Sequence, residues 1–199
     1  MRRQSAGPER VPVADGDSHR TAALATQISG ANRLARALWQ LAWFLLYRPS
    51  PVRLFGWRRL LLRCFGARIG EGAYPYPRTR IWAPWNLSMG AYSCLANDVD
   101  CYCVAPVELG AYATVSQYSY LCSASHDYRT REMRLVSAPI VLGRDVWVAA
   151  DAFVGPGVTI ADGAVVAARA TVVRNVSAWS VVGGNPAREI ARRPPFTRP

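Results

Sequence analysis

The chain of 199 residues contains no lysine, only 13 acidic residues and only two histidines. His19 lies in a polar N-terminal stretch, so His126 is the one histidine in the regular part of the sequence. One histidine is too few for a metal site that is built from three histidine ligands. The five cysteines include a Cys101-x-Cys103 pair, but no second pair completes a zinc site. We therefore expect the cysteines to be packing residues and the protein to need no metal.

Long apolar runs are also missing. The strongest one, within "LWQLAWFLLY", extends over about eleven residues, whereas a membrane span needs roughly 20. Arg2 and Arg3 are not followed by an apolar stretch, so they do not begin a secretion signal. Together with the odd number of cysteines, this predicts a cytoplasmic protein with reduced thiols.

Positive charge is concentrated near the N-terminus. Residues 1–68 hold 12 of the 24 arginines and only three acidic residues, which is +9 of the net +11. Such a region is either a solvated tail and helix face or a surface for anionic lipid, nucleic acid or phosphorylated ligands. Because no nucleic-acid motif accompanies it, we expect no nucleic-acid partner.

The N-terminal part divides into a tail and a helical segment. Residues 1–29 are polar and small, which predicts a disordered tail. Residues 30–68 predict two helices, the first with leucines at helical spacing. Those leucines are Leu34, Leu38, Leu41 and Leu45.

The second predicted helix begins at Ser50 as N-cap with Pro51 in its first turn, and Gly66 ends it as a left-handed cap. On this helix Leu54, Trp57, Leu61 and Phe65 would share one face, with Arg58, Arg59 and Arg63 on the other. Two interpretations stay open. The pair packs on the main domain, or it forms a basic amphipathic surface that rests on a glycolipid or on the inner face of the membrane.

From residue 69 onward the sequence repeats every six residues. Every sixth residue from Leu142 is aliphatic: Leu142, Val148, Val154, Ile160, Val166 and Val172. The position four later is always small or β-branched: Val146, Ala152, Val158, Ala164, Ala170 and Val176. This period fits neither an α-helix nor a hairpin, but it is typical of a hexapeptide β-helix. The coil is predicted over 69–182, with residues 128–139 leaving it as a loop and 183–199 forming a C-terminal tail.

Several stretches resemble the hexapeptide-repeat acyltransferases, especially the acetyltransferases of colanic-acid biosynthesis and the sugar O-acetyltransferases. They are "PWNLSMGAYSCLANDV", "SHDY", "PIVLGRDVWVAADAFVGPGVTIADGAVVAARATVV" and "VVGGNPAREI". The resemblance covers roughly residues 34–193. It implies an all-β core, a left-handed parallel β-helix with an N-terminal helical segment. It also implies a homotrimer that uses acetyl-CoA as acyl donor in grooves between subunits.

The same resemblance implies roles for individual residues. His126, in Ala124-Ser125-His126-Asp127, is expected to be the catalytic base. Trp147, Ala150 and Ala168 would line the pantetheine arm, Arg174 and Arg188 would bind phosphates, and Asn185 and Pro186 would close over the coenzyme. The candidate acceptor residues are Asn86, Asn97, Asp98 and Asp100. Cys103 stands where the close family tends to have asparagine.

These expectations converge on an O-acetyltransferase that modifies a hydroxyl of a polysaccharide, glycolipid or glycosylated small molecule. An antibiotic or another small alcohol is an alternative acceptor. Serine-acetylating relatives usually carry a larger helical N-terminal domain than this chain has, which argues against serine as the acceptor. Zinc-dependent carbonic anhydrases of this fold need three histidines around the metal, which argues against that activity. A non-catalytic trimeric scaffold at a membrane is the alternative from another class.

Overall fold

The computed structural model describes residues 29–196 and also the backbone of the short strand Leu24–Ala25. Most of the predicted disordered tail, 1–29, therefore lies outside the described residues. Within this tail, the short strand pairs with the strand Leu135–Ser137 in antiparallel register, Leu24 with Ser137 and Ala25 with Val136. Ser29 caps the first helix, because its side chain accepts a hydrogen bond from the Asn32 amide.

Two helices precede a long series of short strands. Helix α1 is Gly30–Ala42, followed by a π-helical turn, Trp43–Tyr47, and helix α2 is Phe55–Cys64. A short 3-10 helix, Pro84–Asn86, lies between the fourth and fifth strands. The strands are β1 (Leu24–Ala25), β2 (Arg68–Ile69), β3 (Tyr74–Pro75), β4 (Arg80–Ile81), β5 (Leu87–Met89), β6 (Cys94–Leu95), β7 (Asp100–Tyr102), β8 (Val107–Leu109), β9 (Thr114–Val115), β10 (Tyr120–Cys122), β11 (Ala124–His126), β12 (Leu135–Ser137), β13 (Ile140–Leu142), β14 (Trp147–Val148), β15 (Phe153–Val154), β16 (Thr159–Ile160), β17 (Val165–Val166), β18 (Thr171–Val172), β19 (Ser180–Gly183) and β20 (Arg188–Arg192).

The strands form three parallel sheets that the chain visits in rotation. The first face contains β2, β5, β8, β13 and β16. The second face contains β3, β6, β9, β14, β17 and β19, with β20 added antiparallel at its end. The third face contains β4, β7, β10, β15 and β18. Each turn of the chain adds one strand to each face, which makes a parallel β-helix.

The six-residue period marks the interior of this β-helix. All six aliphatic residues from Leu142 to Val172 are at most 1% exposed. Their strands pair in register, so that Val148 lies beside Val166 and Val154 beside Val172. The predicted fold class, a left-handed parallel β-helix of hexapeptide repeats with an N-terminal helical segment, is confirmed.

The corners follow the same period. The third residue after an inward aliphatic one has a positive φ, as at Asp145 (56°), Asp151 (60°) and Gly157 (76°). Glycine and aspartate tolerate this left-handed conformation better than most residues. Close stacking of turns also needs glycine: a Cβ on Gly90 would lie 2.6 Å from the backbone N of Ala111. Gly90, one residue after the inward Met89, is thus required by its corner, whereas the predicted small or β-branched positions such as Val146 and Ala152 are buried in the coil.

Helix α1 packs on the coil through aromatic residues rather than through its leucine stripe. Trp39 and Tyr47 are fully buried, and the Trp39 indole donates to the Ile81 carbonyl at 2.7 Å. The Trp43 indole donates to the Thr79 carbonyl at 2.9 Å. Because these bonds fix the rotation of the helix, its leucine stripe faces outward.

Helix α2 begins later and faces differently than predicted. Ser50 is not its N-cap, because the Ser50 hydroxyl donates to the Tyr47 carbonyl and accepts from Arg58. Arg58 is fully buried, which contradicts the prediction that it points away from the apolar face. Its guanidinium also donates to the carbonyls of Pro75, at 2.7 Å, and Pro51, at 2.8 Å. The predicted cap at Gly66 is confirmed by its φ of 87°.

The chain leaves the coil between the third and first faces. This excursion includes the predicted loop, 128–139, but it is a hairpin in which β11 pairs antiparallel with β12. Residues 128–139 thus lie outside the coil, and Leu135–Ser137 form a strand within them. Sequence periodicity missed the hairpin because two short strands outside the coil carry no six-residue signal.

Candidate active site

His126 is the last residue of β11 and lies exposed on the hairpin. Its Nδ1 atom is 2.6 Å from the carbonyl oxygen of Met133, across the turn of the hairpin. Because a carbonyl can only accept, Nδ1 must carry the proton, and the neutral ring then has its lone pair on Nε2. The hairpin thus holds an imidazole in one tautomer, with its basic nitrogen on the opposite side of the ring.

Asp127 does not act on the neighbouring imidazole. Its carboxylate accepts from the Arg129 amide at 3.2 Å and from Arg129 Nε at 2.8 Å. This guanidinium lowers the pKa of the Asp127 carboxyl. The Asp127 carboxylate is thus engaged by Arg129 within the turn that follows β11.

The predicted pantetheine residues lie along the corner between the second and third faces. Because Trp147 and Val148 pair with Val165 and Val166, Ala150 and Ala168 follow at equivalent places on successive turns. The Ala150 carbonyl accepts from the Arg169 amide at 3.0 Å, which joins the two turns. We call this corner of small residues the alanine corner. A long, narrow ligand can run along it close to the backbone.

Trp147 stands beside this corner, on the second face. Its side chain is 48% exposed, and its indole donates to the Ser116 hydroxyl at 3.0 Å. That bond holds the ring in place while most of one side stays open. Trp147 thus combines a bond to the neighbouring turn with an exposed side chain on the second face.

The other predicted coenzyme residues meet at the end of the coil. Arg174 and Arg188 line one cavity of about 180 Å³, although they are separated in sequence by a turn and a strand. Asn185 and Pro186 lie in the connection between β19 and β20, joined by a cis peptide bond. The following amide, of Ala187, donates to the Thr171 carbonyl at 2.8 Å. The C-terminal segment is thus attached to the last turn beside two exposed guanidinium groups.

All four candidate acceptor residues make bonds within the coil. The Asn86 amide donates to the carbonyls of Cys103 and Val104, at 3.1 and 2.8 Å. Asn97 accepts from the Arg78 amide at 3.1 Å, and Asp98 pairs with the Arg78 guanidinium at 2.7 Å. These bonds hold neighbouring turns together.

Asp100 is placed differently from the other three. It lines a cavity of about 260 Å³ on the third face, between the coil and helix α1. Its carboxylate pairs with Arg80 at 2.9 Å, and burial raises its pKa. The cavity contains indole and phenol rings together with amide, guanidinium and carboxylate groups. Its lining residues are Gln40, Trp43, Arg80, Ile81, Trp82, Asp100 and Tyr102.

This cavity was missed by sequence reasoning, apart from Asp100, because α1 contributes residues distant in sequence. It adjoins the foot of the His126 hairpin. Tyr102 pairs with Cys122 at the end of β10, and its carbonyl accepts from the Ser123 amide at 3.2 Å. Trp82 and Tyr102 pack edge to face, with ring centroids 5.0 Å apart. The cavity and the hairpin thus share one edge of the third face.

The histidine hairpin and the alanine corner lie at opposite edges of that face. The hairpin follows β10 and precedes the first face, whereas the alanine corner precedes β15 and β18. A face about six residues wide separates them by roughly 15–20 Å at 3.3 Å per residue. One chain therefore does not bring His126 to the alanine corner. Among residues 29–196 no group of three histidine, cysteine, aspartate or glutamate side chains is arranged to hold a metal ion.

Curated relatives of this chain are acetyltransferases. The Escherichia coli K12 protein named as the colanic acid biosynthesis acetyltransferase WcaF is 41% identical over 164 residues, covering 82% of this chain and 90% of its own length. A chloramphenicol acetyltransferase of Agrobacterium fabrum is 44% identical, but only over 59 residues, which are 30% of this chain and 28% of that enzyme.

Solved structures with the same fold cover most of the chain. An acetyltransferase containing hexapeptide repeats from Vibrio cholerae, solved with acetyl coenzyme A, has a TM-score of 0.74 at 23% identity, covering 84% of this chain and 91% of that one. A maltose O-acetyltransferase from Clostridium difficile 630 has a TM-score of 0.72 at 21% identity, covering 84% and 90%. No family model matches the sequence. On the identity and coverage of its full-length relative, the chain belongs to the hexapeptide-repeat acetyltransferases, in the group of the colanic acid biosynthesis enzyme.

Proposed function

We propose that this acyltransferase moves the acetyl group of acetyl-CoA to a hydroxyl of a sugar, with His126 as general base. The observation that carries the proposal is the 2.6 Å contact between His126 Nδ1 and the Met133 carbonyl. It fixes the tautomer whose Nε2 accepts a proton. A histidine held only for packing would need neither this tautomer nor an exposed ring.

The chemistry follows from that nitrogen. Nε2 takes the proton of the acceptor hydroxyl while its oxygen attacks the thioester carbonyl. The new C–O bond forms, the C–S bond breaks, and the imidazolium returns the proton to the departing thiolate. The products are the acetyl ester and free CoA. The base is regenerated in the same step, so neither a metal nor a redox partner is needed.

The alanine corner supports the coenzyme site. Ala150 and Ala168 leave room for an extended arm close to the backbone, and Trp147 offers an exposed ring beside it. Arg174 and Arg188 provide paired donors for phosphate oxygens. Asn185 and Pro186 would close over the ligand at the end of the coil. The acetyl-CoA complex of the Vibrio neighbour gives independent support.

The separation of the two edges supports a site shared between subunits. A base on one edge of the third face meets a coenzyme on the other edge only if a second chain supplies one of them. A closed ring of three chains satisfies this for every site at once. We therefore include the homotrimer in the proposal, together with a cytoplasmic location, which the five unpaired cysteines favour.

The cavity at Asp100 is the acceptor site that we favour. Aromatic rings beside hydrogen-bonding carboxylate and amide groups suit the apolar faces and hydroxyls of a sugar. The names of the colanic acid biosynthesis relative and of the maltose O-acetyltransferase with the same fold suggest the same class of acceptor. Asn86, Asn97 and Asp98 are less favoured as acceptor contacts, because they join turns of the coil without lining this cavity, whereas Asp100 does both.

The test is acceptor-dependent release of CoA thiol from acetyl-CoA with a panel of mono- and oligosaccharides. His126→Ala should lower kcat by about 10²–10⁴-fold, the usual contribution of a general base. Calorimetry should show unchanged CoA binding, and His19→Ala, which removes the other histidine, should keep full turnover. Equal acceptor-dependent turnover in His126→Ala and the unaltered protein would disprove the role of His126.

An antibiotic acceptor is the second candidate, because the chloramphenicol acetyltransferase matches part of the coil. Chloramphenicol in the same panel separates the two. Turnover of chloramphenicol but of no sugar would favour that candidate. No CoA binding at all would favour the non-catalytic scaffold.

A further inference from the structure

The N-terminal helices expose an unusual amount of apolar surface. Ten of the 19 large apolar side chains exposed in the described residues lie within residues 34–60. We call these ten the N-terminal apolar surface. They are Leu34, Leu38, Leu41, Phe44, Leu45, Leu46, Val52, Leu54, Trp57 and Leu60.

These side chains are distributed over α1, the π-helical turn, the connection that follows it and α2. Leu34, Leu38 and Leu41 lie on one side of α1, and the stripe runs on into the π-helical turn at Leu45. There the Trp57 indole donates to the Leu46 carbonyl at 3.0 Å, which attaches α2 to the end of the stripe. Leu54, Trp57 and Leu60 continue it at helical spacing.

The exposed leucines cannot become buried within their own subunit. Both helices are held on the coil by the buried Trp39, Tyr47 and Arg58, and Trp39 and Arg58 also donate to coil carbonyls. Turning the leucines inward would break these bonds. The apolar surface is therefore a stable feature of the fold that needs an external partner.

The charge around this surface identifies the partner. No aspartate or glutamate occurs between residues 18 and 70, whereas residues 29–68 contain eight arginines. Arg48 and Arg53 are exposed in the connection between the helices, with the Arg48 guanidinium 5.4 Å from the centre of the Trp43 ring. Any partner of this surface would have to be both apolar and anionic over the same area. An acidic lipid bilayer has both properties, because anionic headgroups cover its apolar interior.

The helices fit a position in the plane of the bilayer. In the part of the chain that the structure describes, no helix is long and apolar enough to span it. Helix α1 has 13 residues and one apolar side, as in helices that lie at the lipid interface. Trp57, with its indole bonded to Leu46, resembles the aromatic residues found at this depth.

We propose that the N-terminal apolar surface docks onto an anionic membrane. The leucines enter the acyl region, and Arg48 and Arg53 contact lipid phosphates. The proposal goes beyond the proposed function and does not depend on it, since it concerns a different surface. It predicts that the enzyme works at the membrane, where acceptors attached to lipid are concentrated.

The test is flotation of the full chain with vesicles of phosphatidylcholine, with and without about one third phosphatidylglycerol. Binding should require the anionic lipid and should weaken in high salt. Leu38→Gln/Leu41→Gln, which changes no charge, should weaken binding about ten-fold or more. Arg48→Gln/Arg53→Gln should also weaken it about ten-fold.

The matched control is Arg144→Gln/Arg169→Gln, which removes the same charge from two exposed corners of the coil. It should bind vesicles like the unaltered protein. Circular dichroism and light scattering of each variant establish that fold and mass are kept, since Leu38 and Leu41 are 54% and 57% exposed. Absence of flotation on anionic vesicles would overturn the proposal. So would a smaller assembly in Leu38→Gln/Leu41→Gln, because the surface would then be buried between copies of the chain.

Discussion

The buried guanidinium of Arg58 offers a direct test of how the helical segment is attached to the coil. Arg58 is fully buried and donates hydrogen bonds to Ser50, Pro51, Val52 and Pro75. Arg58→Met keeps most of the aliphatic stem but removes every one of these donors. The variant isolates the polar contribution from the packing contribution.

The expected cost can be estimated from those contacts. Hydrogen bonds from a charged donor contribute about 1.5–3 kcal/mol each. They are not additive here, because the carbonyls of Pro51 and Val52 belong to exposed residues and regain water, whereas the Pro75 carbonyl lies against the coil. We expect the free energy of unfolding to fall by about 2–4 kcal/mol, mostly because the Pro75 carbonyl is left without a partner. For a chain of this size that lowers Tm by about 10 °C.

The assay is thermal and guanidinium unfolding followed by near-ultraviolet circular dichroism. Arg63→Met is the matched control, because Arg63 is exposed on the same helix and donates only to the Ile69 carbonyl. That variant should lose less than about 1 kcal/mol. If Arg58→Met is no less stable than Arg63→Met, the bonds of Arg58 do not attach the helices and the reasoning is refuted.

Three further predictions concern the coil and the site. Gly90→Ala should destabilise the protein by about 2 kcal/mol or more in the same unfolding assay, because its Cβ would meet backbone atoms. Gly30→Ala, where no atom lies within 4 Å, should be neutral or stabilising. Trp147→Ala should raise the KM for acetyl-CoA about ten-fold with little change in kcat, and an unchanged KM would remove this residue from the coenzyme site. Asp100→Asn should raise the acceptor KM about ten-fold while Glu108→Gln, on the first face, leaves it unchanged; equal effects would contradict the acceptor site.

The interior of the coil could be predicted from sequence because its signal is local and periodic. One inward residue in six decides the register of every face, as Leu142 and Val172 show. The helices carry a similar period, but periodicity does not say which side meets the coil. The leucines of α1 have the stronger pattern, yet Trp39 and Tyr47 are buried because indole and phenol rings fill the space against the coil and Trp39 also satisfies a carbonyl there.

The candidate site also has some features that could be predicted from the sequence and others that could not. His126 was identifiable from its scarcity and from the motif around it, but its bond to Met133 was not, because this depends on a hairpin with no repeat of its own. The cavity at Asp100 depends on Gln40 and Trp43, which reach it from a helix some sixty residues earlier. Such contacts arise from the docking of elements rather than from local sequence.

The central claim is that His126 of one subunit serves acetyl-CoA bound at the alanine corner of another. The measurement is complementation between His126→Ala and Ala168→Trp, which fills the alanine corner. Each variant alone should be inactive. Refolded together in equal amounts, they should recover about one quarter of the unaltered turnover per site, since half of the histidines and half of the corners are intact and combine at random in a symmetric trimer. Recovery of no activity from trimers shown by mass to be mixed would contradict the shared site, as would full turnover of the His126→Ala variant by itself.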